Sequence, residues 1–158
     1  MHSNHLEVVV GEKLATYGQR VATAESCSGG LVAHRFTNVS GSSTYFLGGV
    51  VTYSNEAKAD LLNVSIDDID QHGAVSETVA RQMAQGARHC FGAEWGIGIT
   101  GIAGPTGGTE EKPVGLVYIA VAGAAETHVT RNLFAGSRES IKEQTADKAF
   151  ELLLEQLQ

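Results

Sequence analysis

The order in which apolar runs of two different periods follow one another constrains this chain more than any other feature. Leu6, Val10, Leu14 and Tyr17 recur at helical spacing, with Gly18 placed to end that helix. "RVATAE" then reads as a short buried strand, and "GGLVAHRFTNV" as a helix opened by the turn "SCSGG". "GSSTYFLGGVVTYS" passes from a polar turn into a strand through "GVVTYS", and "NEAKADLL" is a helix begun by Ser54 or Asn55. "NVSIDDIDQHGAV" reads as a loop, after which Ser76 caps a helix carrying Val79, Met83, Ala87 and Cys90 or Phe91 on one side. "EWGIGITG" is a strand candidate, followed by the loop "GIAGPTGGTEEKP". "VGLVYIAVAG" and "ETHVTRNLF" are two strands with a short link, which favours an antiparallel hairpin, and "GSRESIKEQTADKAFELLLEQL" is a closing amphipathic helix.

Strands and helices that alternate, then a hairpin and a helix, predict an α/β protein. The expected architecture is a three-layer α/β/α sandwich around a mixed, mostly parallel sheet. With 158 residues and no linker, repeat or low-complexity segment, residues 1–158 are expected to form one domain. If the first three strands run parallel, their carboxyl ends share one edge of the sheet, where open α/β sheets bind ligands. That edge would carry Ser26 and Ser28, then Tyr53 and Lys58, then Thr100 and the glycine loop. A down-and-up hairpin would return "GSR" at 136–138 to the same place.

Composition narrows the function classes. A net charge of -7 argues against a general nucleic-acid binder, which needs a basic face. No apolar run reaches membrane-spanning length, and the start "MHSNHLEVVVGEKL" lacks a signal-peptide pattern, so a cytoplasmic protein without a membrane partner is expected. Cys27 and Cys90 are few and far apart, as for reduced thiols. The six histidines, His2 and His5 near the start among them, show no metal spacing, and neither a metal nor a cofactor is expected. The 19 glycines point to tight turns or to backbone approaching a ligand.

Each candidate motif has a structural and a functional reading. "AESCSGG" is a strand–turn–helix junction in which a serine can cap orphan amides, or a place where exposed N–H groups hold an oxyanion beside a nucleophilic hydroxyl. "GIGITG" formally matches the dinucleotide pattern GxGxxG, but its first glycines lie inside a strand and no helix follows. "GPTGGTEEK" is no P-loop, since Lys112 precedes proline; it is a long glycine-rich loop whose amides, from Gly101 and Gly104 onward, can surround a phosphate or ribose. Lys58 is either a solvated helix lysine or a desolvated base beside a serine. Arg138 is either a surface residue or a phosphate clamp. Glu25 is the one acid placed near these groups.

"TAESCSGG", "GSS", "GGVVTYSNEAKADLL", "HGAVS" and "GITGIAGPTGGTEEKPVG" together resemble the CinA C-terminal domain family through nearly the whole chain. The resemblance implies an α/β/α fold with a mixed sheet. It also implies the activity of the stand-alone members, nicotinamide-nucleotide amidases, which hydrolyse nicotinamide mononucleotide to nicotinic acid mononucleotide and ammonia in pyridine-nucleotide salvage. Longer members carry an additional N-terminal domain, whose activity is not carried over. The small nucleotide substrate is the expected partner, with self-association into a homo-oligomer.

Hydrolysis without a metal needs a nucleophile, a proton shuttle and an oxyanion site. Ser26 is the expected nucleophile, with Ser28 as helper and Lys58 as base. Ser43, in "GSS", is the rival, although the topology places it near the opposite edge unless the chain bends back or a neighbouring subunit supplies it. Tyr53 is expected to orient the lysine, and the Ser26–Gly30 turn, with Gly29 and Gly30, to hold the oxyanion. Thr100 would contact the ribose or amide, and Arg138 with the glycine loop would bind the phosphate. The rival class is a non-catalytic nucleotide-binding or regulatory module with the same loops.

Overall fold

The computed structural model describes residues 5–158; His2 lies outside them. Five strands, β1 (Val21–Glu25), β2 (Phe46–Val51), β3 (Trp95–Gly101), β4 (Leu116–Ala122) and β5 (Thr127–Leu133), form one sheet in the order β2-β1-β3-β4-β5. β1 pairs in parallel with β2 and β3, and the last two pairs are antiparallel. Pairs are thus evenly divided, while four of the five strands point the same way. In this sense the sheet is mixed and mostly parallel.

Six helices cover it: α1 (Leu6–Tyr17), α2 (Leu31–Thr37), α3 (Asn55–Leu62), α4 (Ile66–His72), α5 (Glu77–Phe91) and α6 (Arg138–Gln156). α1, α2 and α6 pack together on one face, and α5, with α3 and α4 against it, covers the other. The chain leaves β1 through α2 toward β2, then crosses back over β1 through α3–α5 to β3. Right-handed crossovers in opposite directions require helices on opposite faces, and a crevice opens where the direction reverses.

The two faces are built differently. Toward α1, α2 and α6 the strands present Val21, Ile97, Ile99, Val117, Ile119 and Val121, which enclose Val10, Leu14, Ile141, Phe150 and Leu153. Phe36 of α2 stacks on Phe46 at 5.0 Å between ring centroids and tilts against Phe150 at 4.8 Å. Arg35 binds Glu7 at 2.7 Å and Asp147 at 2.6 Å, tying the three helices together. Toward α5 the strands present Ala22, Ala24, Ala120, Ala122 and the first two glycines of "GIGITG", Gly96 and Gly98. A methyl group on Gly98 would meet the backbone N of Ala84 and, at 2.5 Å, the carbonyl of Ala80; one on Gly96 would meet the Ala84 carbonyl. These two glycines let α5 lie backbone to backbone on β3, while the third of the GxGxxG match, Gly101, lies against Leu116 and Val117 of β4.

Most sequence boundaries hold, including Gly18 as the C-cap of α1 and Ser54 and Ser76 as the caps of α3 and α5. β2 lies three residues earlier than the "GVVTYS" reading, at Phe46–Val51, and α4 falls inside the segment read as a loop. Ser65 caps it by accepting from Asp68 N, Ile69 is buried, and Gln82 of α5 binds both Ser65 N and Asp68. The Ser65 cap is a local signal, but with Ile69 as the one buried residue of α4 no apolar stripe follows it to mark a helix. Cys27 and Cys90 are both free. Among the described residues no helix is long and apolar enough to cross a membrane.

Because rigid backbone atoms, not flexible side chains, oppose a methyl group at Gly98, Gly98→Ala is expected to destabilise the fold by about 1–3 kcal/mol. Urea denaturation monitored by circular dichroism measures this; an unchanged midpoint would show that α5 sits farther from β3.

Candidate active site

The carboxyl ends of β1, β2 and β3 meet at one edge, as the strand order requires, and β5 returns Arg138 to it. A pocket of about 360 Å³ lies there. Ser26, Cys27, Tyr53, Lys58, Thr100, Gly101, Gly104 and Arg138 all line it. Its wall also includes Asn55, at the start of α3, and Ala74 and Val75, which lead into α5. These three escaped the sequence reading, although Ala74 and Val75 stand in "HGAVS".

At the floor, Lys58 is only 2 % exposed. Its Nζ donates to the Thr52 carbonyl at 2.7 Å and to Ser26 Oγ at 3.2 Å. Ser26 follows β1 directly and its N–H continues the ladder to Ile99 O at 3.0 Å, so both members of the pair are held by the sheet. Burial lowers the affinity of Lys58 for its proton, because a charged amine is poorly solvated here. Burial also pushes the Cys27 thiol up to about 12, so beside the pair it is neutral and supplies no counter-charge to the lysine.

The other expected groups hydrogen-bond within the protein. Tyr53 does not orient the lysine: the Thr52 carbonyl does, while the Tyr53 hydroxyl, on a residue 64 % exposed, accepts from Arg138 at 3.1 Å. Arg138 also donates to Gly104 O at 2.6 Å, joining the glycine loop to the β2 end of the pocket. Thr100 lines the pocket, but its hydroxyl donates to Ala74 O at 2.8 Å and holds that segment against β3.

Ser28 is fully buried and donates to Glu25 at 2.7 Å, so its hydroxyl is not available as a helper to Ser26. Glu25 also accepts from Val32 N and Ala33 N, both at 3.0 Å; it is the clamp of α2, not a free acid. Ser28, Gly29 and Gly30 line a neighbouring groove with His34 and Lys142. The Gly29 N–H is spent on Ser26 O at 3.0 Å. Ser43 lies in a single 3-10 turn (Ser42–Thr44) before β2, whose first residue pairs with the first residue of β1. Within this chain it is at the far end of the sheet from Ser26.

A family model described as the CinA C-terminal domain matches residues 3–157. The chain belongs to the CinA C-terminal domain family. A CinA-like protein of Acaryochloris marina is 59 % identical over 122 residues, covering 77 % of this chain and 29 % of that protein. One of Koribacter versatilis is 51 % identical over 152 residues, covering 96 % and 37 %. The chain thus spans about a third of the length of these CinA-like relatives. Among solved structures, the competence/damage inducible protein CihA of Agrobacterium tumefaciens superposes with a TM-score of 0.95 at 37 % identity, covering 100 % of this chain and 99 % of that one. A CinA superfamily protein of Klebsiella pneumoniae gives 0.95 at 34 %, covering 99 % and 98 %.

The buried lysine has a measurable signature in this CinA domain. With its folded-state pKa below 10.5, the unfolded chain binds more protons than the folded one between those two values, so stability rises with pH across that window. At lower pH the charged amine costs stability in full. Relative to wild type, Lys58→Met is therefore expected to fare best at neutral pH and to lose ground as pH climbs to 10.5. Urea midpoints of both proteins across that range test this, and a pH-independent difference counts against a desolvated amine.

Proposed function

We propose that the chain hydrolyses the carboxamide of nicotinamide mononucleotide to nicotinic acid mononucleotide and ammonia by a metal-independent serine–lysine mechanism. The observation that carries this reading is the buried Lys58 Nζ at 3.2 Å from Ser26 Oγ on the floor of a pocket. A hydroxyl is a weak nucleophile until a neighbouring base accepts its proton, and a desolvated amine serves as that base near neutral pH.

Ser26 Oγ attacks the carboxamide carbon while its proton passes to Lys58. The tetrahedral adduct collapses as Lys58 returns that proton to the departing nitrogen, releasing ammonia and leaving an ester on Ser26. Water then attacks the ester, losing a proton to Lys58, which hands it back to Ser26 Oγ as the acid leaves. Cys27, the residue after Ser26 and part of the pocket wall, offers its N–H to the oxyanion. Family membership and Arg138 beside the glycine loop support a substrate with a phosphate remote from the amide.

Ammonia release from the purified protein given nicotinamide mononucleotide tests the reading directly; binding without turnover would make the domain a nucleotide-binding module instead. Ser26→Ala and Lys58→Ala are each expected to lower kcat by several orders of magnitude, with the double variant little worse than either. Ser43→Ala should retain most activity. Loss of turnover in a folded Ser43→Ala protein, with Ser26→Ala still active, would exchange the two serines.

Arg138→Ala should reduce kcat/KM for the nucleotide roughly ten- to a hundredfold, the worth of a hydrogen bond to a charged group, and mainly through KM. Nicotinamide riboside, which has no phosphate, provides the control and should be little affected. Equal damage to both substrates would make the Arg138 link between Tyr53 and Gly104 structural.

A further inference from the structure

A wider groove, about 580 Å³, lies at the opposite end of the sheet from Ser26, between α5 and the turn that joins β4 to β5. Arg81, Gln85 and Arg88 form one wall; their steps of four and three residues place them on one side of α5. Residues 122–127 form the other. This end of the sheet is fixed by pairing of Gly96 with Ala122 and of Ala122 with Thr127, whereas the catalytic pocket lies beyond Gly101.

The guanidinium groups are held in place before any ligand arrives. Arg81 donates to Thr127 O at 2.9 Å and to Glu77 at 3.1 Å, and Gln85 donates to Thr127 Oγ1 at 3.2 Å. Arg88 donates from Nε to Glu94 O at 3.0 Å, and among the described residues its two terminal nitrogens have no hydrogen-bond partner. The one acid lining the groove, Glu126, lies at 3.0 Å from His128. In a chain of net charge -7 with only 11 lysines and arginines, two of them face a single groove. Side chains already held by hydrogen bonds lose little freedom when a ligand binds.

We propose that this groove is a second anion-binding site, separate from the catalytic pocket, for a small molecule bearing a diphosphate group. Seven residues separate Arg81 from Arg88, about 10 Å along a helix axis, so an anion with charge spread over two groups engages both better than a single small ion. Planar guanidinium forks suit phosphoryl oxygens. The site is independent of the hydrolysis reading, and its test measures binding alone.

The test is an NMR titration of the full 15N-labelled chain with sodium pyrophosphate, with sodium chloride at matched ionic strength as the control. Saturable shifts are expected at the Nε–H signals of Arg81 and Arg88 and at the amides of residues 123–127, and chloride should not reproduce them. Arg81→Gln/Arg88→Gln should weaken these shifts at least tenfold while any response at Arg138 and Gly104 persists. If that double variant fails to fold, Arg88→Gln alone, whose terminal nitrogens hold no protein partner, should still weaken them severalfold. Shifts confined to the Arg138 pocket, equal shifts with chloride, or undiminished hairpin shifts in a folded variant would each overturn the proposal.

Discussion

The close seat of α5 on a nearly bare face of the sheet is the constraint on which the rest depends. Gly96 and Gly98, with Ala22, Ala24, Ala120 and Ala122 around them, leave that face almost flat, and Ala80 and Ala84 of α5 complete the contact. Little apolar area is gained per residue there, and the compensation is tight packing of backbone against backbone. The segment before α5 is part of the pocket wall, pinned by the Thr100 bond to Ala74. Side chains on the glycine positions would lift α5 and carry that wall away from Ser26.

Two buried ionisable groups flank the turn at Ser26, and the difference in their partners assigns them different work. Glu25 accepts from one hydroxyl and two backbone N–H groups, so its carboxylate is well solvated by the protein and holds α2 against the end of β1. Lys58 has one carbonyl and one hydroxyl, fewer acceptors than a protonated amine can use. Burial therefore disfavours its charged form and leaves it suited to take a proton. The neutral thiol of Cys27 does nothing to reverse that.

Much of the fold was legible because its signals are local. Caps at Ser54 and Ser76 and the glycine after α1 mark helix ends within one turn of chain, and a short link between two apolar runs marks the hairpin. α4 has the same kind of cap in Ser65, but it buries only Ile69 and so shows no apolar period, and Gln82 of the next helix completes its first turn. "GIGITG" could be excluded as a nucleotide loop from its place in a strand, yet the reason for Gly96 and Gly98 is a helix that passes over them.

In the site, the sequence alone determined which residues arrive at the same edge. Parallel strands with right-handed crossovers allow few orders, and each puts Ser26, Lys58, Thr100 and Arg138 at carboxyl ends or after a returning strand. Tertiary structure decided what each group touches. Ser28 turned to Glu25, Tyr53 to Arg138, and Lys58 to the Thr52 carbonyl, while Ser43 stayed at the far end of the sheet. Backbone topology is set by periodicity and chirality, which any stretch of sequence carries within itself. The direction of a polar side chain is set by which donors and acceptors are left without water when distant segments close over it, and that is fixed only once the core has formed.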